Sequence, residues 1–279
     1  MRRVPARPPG LLPGLALLAL LLVYAGAGPY AGPCSPTDID YGALSAPPGA
    51  GHWFGTNRIG QDVFAQTARG LRESLLIGLS VALTGTAFAA LVGTCAGYAG
   101  GWTDRALTFV VDLFLVVPGF LVLVVLAPPL RRAGWAGYAG ALAALGWMLT
   151  ARAVRGMALS LRERPYVTAA RYMGVRPLRI VRRHILPHMT SFLITHATVA
   201  TAGAVISEAG LSYFGFGVQP PDVSLGTLLA DSTEVALAYP WMFFFPAGLL
   251  FCFVLAVNLI GEALRSALDP SAVRAEVPA

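Results

Sequence analysis

Six apolar runs divided by polar punctuation account for most of the 279 residues. They run from Leu11 to about Ala31, Ser74 to Tyr98, Ala106 to Ala127, Trp135 to Thr150, Thr190 to Gly210 and Pro240 to Ala263. Each is near the roughly 20 residues that a bilayer-spanning helix needs. The pattern predicts an all-α, polytopic membrane protein with six transmembrane helices. Between the first two runs, Gly32 to Leu71 is polar and rich in Pro and Gly, which predicts an ordered loop. The spacing of Val63, Phe64, Thr67 and Leu71 at its end predicts a short amphipathic helix. Within the second run Gly93 and Gly97 form a GxxxG, a spacing that lets helices approach closely but arises readily by chance among 31 glycines. The loop GGWTDR precedes the third run, where Pro118 predicts a kink. The first run has a rival reading as a cleaved signal peptide, since Ala25-Gly26-Ala27 resembles a small-residue cleavage site.

Composition agrees with a membrane protein: 56% of residues are hydrophobic, 12% are charged and the mean hydropathy is +0.66. All 20 basic residues are arginine. Without lysine there is no P-loop lysine and no Schiff base, so this chain is not expected to bind a nucleotide or any other cofactor. Fifteen arginines fall in segments that the six-run pattern places on one side and five in segments on the other. The positive-inside rule then puts both termini in the cytoplasm of a bacterial inner-membrane protein and assigns the charge to topology and lipid, not nucleic acid. On this reading residues 1–72 comprise a cytoplasmic tip, the first span and an outer loop. Residues 73–268 are the main transmembrane domain and 269–279 a cytoplasmic tail. Cys34, Cys95 and Cys252 are too few for a disulfide framework, and Cys95 and Cys252 read as packing residues. His52 and Asp62 lack a spaced partner and read as loop hydrogen-bonding groups, so no metal site is expected.

The densest charge lies between the fourth and fifth runs, where nine arginines from Arg152 to Arg183 predict an aqueous cytoplasmic segment. Within LRERPYVTAARYMGVRPLRIVRRHILP, Pro165 can start a short helix and Gly174 end it. Pro177 can start a second that Pro187 stops. Three acids, Asp112, Glu208 and Glu262, lie in or near apolar runs. Asp112 and Glu208 are the candidates for a translocation path, against a plain structural role. His184 and His188 could share a helix face if Pro187 did not intervene, while His196 reads as a packing residue.

The segment YVTAARYMGVRPLRIVRRHILPH resembles the EAA loop of permease subunits of binding-protein-dependent ABC importers. The matching positions are Ala169, Ala170, Gly174, Leu186 and Pro187. Thr168 stands where that family carries a glutamate, so any salt bridge from that glutamate to the ATPase is lost here, while the alanine pair and glycine turn remain. FGTNRIGQDVFAQTARGLRESLLIG, VVDLFLVVPGF and ISEAGLSYFGFGVQPPDVSLGTLLADS resemble, in the right order, blocks of the dipeptide, oligopeptide and nickel branch. The resemblance implies a coupling helix from Tyr166 to Gly174, docked on a cytoplasmic ATPase. It also implies a homologous second permease, two ATPase subunits that bind the ATP and Mg, and an extracytoplasmic solute-binding protein. The solute stays open between di- or oligopeptides, nickel and another small molecule. An ion-coupled secondary transporter working through Asp112 or Glu208 is the alternative from another class. A membrane enzyme would need a clustered catalytic constellation, and none stands out.

Overall fold

The structure, a computed structural model, describes residues 10–32, 34–220 and 222–268. Arg2, Arg3 and Arg7 of the predicted tip and the 269–279 tail lie outside the described residues, as do the side chains of Arg131 and Arg132. The first apolar run forms helix α1, Leu11–Ala31, over the predicted residues. It is an integral part of the fold: Leu21 and Ala25 share a core cluster with Leu71, Val205, Phe253 and Val257.

Helix α2, Val63–Ala99, is one rod of 37 residues, about 55 Å long at 1.5 Å per residue. Asp62 caps it by accepting a hydrogen bond from the Ala65 amide at 2.8 Å. The amphipathic helix expected at 63–71 is its first two turns, because nothing between Leu71 and Ser74 interrupts the backbone ladder. Arg69 and Glu73 pair at i,i+4 across the expected boundary. Glycines notch the sides of α2. A Cβ at Gly78 would sit 2.7 Å from Val205, and Gly93 and Gly97 both press against the chain from Ala151 to Leu159. The GxxxG is therefore a packing seam.

The third run is broken into α3, Gly101–Val116, and α4, Gly119–Arg132, bent by 80° at Val117 and Pro118. Pro118 sits before α4, where its missing amide costs no helix bond. The expected loop GGWTDR is itself largely the first turn of α3. The fourth run is also divided, into α5, Gly134–Gly146, and α6, Met148–Arg162. Among the described residues four helices are long and apolar enough to cross a membrane, or five if the bent pair counts as one span. The predicted six are not reached by that measure because α5 has only 13 residues and its continuation carries Arg152, Arg155 and Arg162.

Those three arginines also hold α6 to its neighbours. Arg155 reaches back to Asp104 on α3 with a second contact of 2.7 Å, and Arg152 donates to Asp112 on the same helix at 3.0 Å. Arg162 donates to the Gly97 carbonyl at the end of α2. Charge here clamps α6 to α3 and α2 before the chain leaves the bundle.

Helix α7, Pro165–Tyr172, and the single turn α8, Pro177–Ile180, begin at the predicted prolines. Pro187 does not stop α8. The chain continues through a π-helical turn, Val181–Ile185, into α9, Leu186–Tyr213. The wider turn absorbs the bond that the proline nitrogen cannot donate, so the helix axis runs on. Helix α10, Leu225–Thr233, and helix α11, Pro240–Leu268, complete the bundle.

Candidate functional site

Helix α7 has one face fastened to its own chain and one face bare. Val167 and Ala170, three residues apart, are buried against Val154, Ala158, Ile180, Ile185 and Met189. Ala169 is exposed on the opposite side with Tyr172 and Met173, the last two 87% and 75% accessible. The alanine pair thus divides its work, Ala170 seating the helix and Ala169 lying on its free surface. The C-terminal end is closed by Gly174 at φ +75°, while the Val175 amide bonds back to the Ala170 carbonyl at 3.1 Å.

Around this face the expected residues are only partly gathered. Tyr166 stacks on His188 with ring centroids 5.4 Å apart, which brings it beside Leu186 and Pro187 at the start of α9. Thr168 is half-buried, and Arg171 lies over the Tyr98 ring at the end of α2, 5.6 Å from its centroid. The bare helix therefore sits at the C-terminal end of α2. The 34–62 loop sits at the other end, where Trp241 donates to the Thr56 carbonyl and Phe54 stacks on Phe245 at 3.9 Å. A rod of about 55 Å between them exceeds the roughly 30 Å hydrocarbon layer, so the two regions face opposite sides.

Between α2, α4, α5 and α9 lies a cavity of 550 Å³. Glycines on all four helices leave its walls smooth, and its polar groups are Thr86, Thr150, His196 and Ser207. Thr150 and His196 hydrogen-bond to each other at 2.8 Å. Sequence reading missed this set. Isolated Thr, Ser and His carry no motif, and only the packing of three helices around one cavity assembles them.

Asp112 and Glu208 do not line this cavity. Asp112 faces Arg152 on the α3–α6 seam. Glu208 neighbours Ser207 but points into the protein, fully buried, where its Oε1 accepts from the Ser212 and Ser224 hydroxyls at 2.6 and 2.7 Å. Ser224 is the N-cap of α10. Glu73 accepts from the Val223 amide, and Ser74 accepts from the Leu225 amide. Glu208 and α2 together hold down the chain that follows α9. Glu208→Ala is expected to leave the buried Ser212 hydroxyl without its acceptor, release Ser224 from α9 and lower stability by about 2 to 4 kcal/mol. Faster proteolysis between Tyr213 and Ser224, with Glu208→Gln intermediate, is the measurement that checks it.

The chain can be compared with known proteins on this geometry. Residues 85–274 match the family described as binding-protein-dependent transport system inner membrane component. The oligopeptide transport system permease protein OppC of Mycobacterium bovis is 50% identical over 258 residues, 92% of this chain and 89% of that protein. OppC of Bacillus subtilis is 33% identical, over 92% of this chain and 84% of that one. A putative peptide permease protein of Brucella suis is 41% identical, over 93% and 86%. In fold, the chain is similar to a chain of the inward-facing MetNI methionine ABC transporter, with a TM-score of 0.55 and 22% identity over 71% of this chain and 96% of that one. With a bare helix at one end of its longest rod and a cavity among its small-residue helices, this chain belongs to the family of binding-protein-dependent transport system inner membrane components.

Proposed function

We propose that the chain is the permease subunit of a peptide importer, and that α7 is the part through which ATP hydrolysis moves it. The observation that carries this reading is the division of α7 into a seated face, Val167 and Ala170, and a bare one, Ala169, Tyr172 and Met173. A short helix held rigidly on one side transmits a push from the other into α6 and α9. Those helices border the 550 Å³ cavity. A homologous second permease would close the open side of the cavity and complete the path, and two cytoplasmic ATPases would bind the ATP and Mg. A solute-binding protein would deliver its cargo to the side of the 34–62 loop.

Within this scheme the cavity groups Thr86, Thr150, His196 and Ser207 supply neutral hydrogen-bonding partners for a peptide backbone. Asp112 and Glu208 act as structural anchors of the path. Peptide cargo is favoured by the names of the relatives and by a weakly polar cavity without a metal-ligand cluster on its lining. The test is uptake of labelled oligopeptide into proteoliposomes holding the complete assembly. ATP-dependent uptake without an imposed ion gradient is expected. Uptake that follows a proton gradient in the absence of the ATPases, or transport of nickel but not peptide, would replace this reading.

A further inference from the structure

Three side chains separated by 18 and 10 residues meet at the outer end of α2. Cys34, His52 and Asp62 each place one ligand-type atom within 4.8 Å of the others. His52 Nδ1 lies 2.8 Å from Asp62 Oδ2 and 4.0 Å from Cys34 Sγ. Asp62 is 1% accessible and the His52 side chain 13%, so two of the three are held in place by the surrounding protein. We infer that this cluster is a binding site for a divalent transition-metal ion, with zinc the ion its thiolate, imidazole and carboxylate suit best.

The spacing and the supporting bonds agree with that assignment. Zinc bonds of about 2.0 to 2.3 Å in a tetrahedron set neighbouring ligand atoms about 3.4 to 3.7 Å apart. The two distances from His52 Nδ1 fall on either side of this range, so shifts of well under 1 Å in side-chain position make both fit. Asp62 keeps Oδ1 on the Ala65 amide at 2.8 Å, which orients Oδ2 toward the cluster. On the far side of the imidazole, Asp40 Oδ2 lies 3.6 Å from Nε2. A carboxylate on the other ring nitrogen is the usual outer partner of a metal-bound histidine and fixes its tautomer. Three protein ligands leave a fourth position for water.

The cysteine has no disulfide, so its sulfur is available as a ligand. This departs from the expectation that the chain holds no metal, which rested on His52 and Asp62 alone. An ion here would staple the loop from Cys34 to His52 onto the cap of α2, the helix that also lines the cavity. The site does not depend on which solute is carried.

The experiment uses the full chain purified in detergent, loaded with Zn²⁺, passed through a desalting column and assayed for metal by elemental analysis. A parallel sample is loaded with Co²⁺ and examined for a thiolate-to-cobalt charge-transfer band. One zinc per chain and a thiolate band are expected for the native chain and for Cys95→Ser. Cys34→Ser should lose the band and His52→Gln should retain less than one tenth of the zinc. Asp40→Asn should weaken affinity about 10-fold without abolishing it. A native chain that retains no zinc and gives no cobalt–thiolate band overturns the proposal without reference to any variant. So does undiminished metal in both Cys34→Ser and His52→Gln chains that elute as the native protein does.

Discussion

Leucine at Gly97 is expected to prevent α2 and α6 from closing, and leucine at Gly93 to do the same one turn earlier. A Cβ at Gly97 would lie 2.6 Å from both the Ala158 Cβ and the Arg155 carbonyl oxygen. At Gly93 it would lie 2.5 Å from the Ala151 carbonyl oxygen. These neighbours are backbone or the first atom of a side chain and cannot rotate away. Relief requires the helices to separate, which would pull Arg162 from Gly97 as well. The cost is expected to be about 3 kcal/mol or more in each case, at the upper end of overpacking effects. Gly85→Ala is the control, since its added methyl would face the cavity with nothing nearer than 3.9 Å. Its effect should stay within about 0.5 kcal/mol. Thermal unfolding and the yield of monodisperse protein in detergent check all three.

The second large effect separates the two alanines of α7. Ala169→Glu places a long, charged side chain on the bare face without touching the bundle. It should leave the folded chain intact while cutting ATP-driven uptake more than 10-fold, equivalent to about 1.4 kcal/mol or more of lost coupling. Ala170→Leu drives three extra carbons into the packed contacts with Val154, Ala158 and Ile180. That change should lower the stability of the chain itself by about 1 to 3 kcal/mol. Gly174→Ala lies between these cases. Space is open around it, but φ +75° imposes about 1 kcal/mol of strain on any residue with a Cβ, loosening the end of α7. Uptake, ATP hydrolysis and detergent stability measured on the same preparations distinguish a blocked surface from a damaged fold.

Much of the helical plan was written in local pattern. The run from Leu11 to Ala31 became α1 residue for residue, and Pro165, Gly174 and Pro177 punctuate the coupling segment as their backbone chemistry requires. Local signals failed where neighbours decide. Pro187 looked like a stop, yet a π turn upstream accommodates it and the helix continues. The partners of the α6 arginines, Asp104 and Asp112, could not be read locally because they lie some 40 to 51 residues away in sequence. Which alanine of the pair faces outward depends on the rotation of α7 about its axis. That rotation is set by Ile180, Ile185 and Met189, all later in the chain. The candidate metal ligands Cys34, His52 and Asp62 have no motif spacing because a loop fold, not a helix repeat, brings them together. The cavity follows the same logic, since Thr150 and His196 meet only when α6 and α9 cross.

The central claim is that the bare face of α7 is the surface that meets the ATPase. A photoactivatable amino acid placed at Ala169 in the complete assembly tests it most directly, with the same group at Leu237 as comparison. Leu237 is fully exposed, and it lies between α10 and α11 near the outer loop. A covalent adduct to an ATPase subunit is expected from position 169 and none from position 237. An ATPase adduct from 237 and not from 169 would place the coupling surface at the opposite end of the molecule and contradict it.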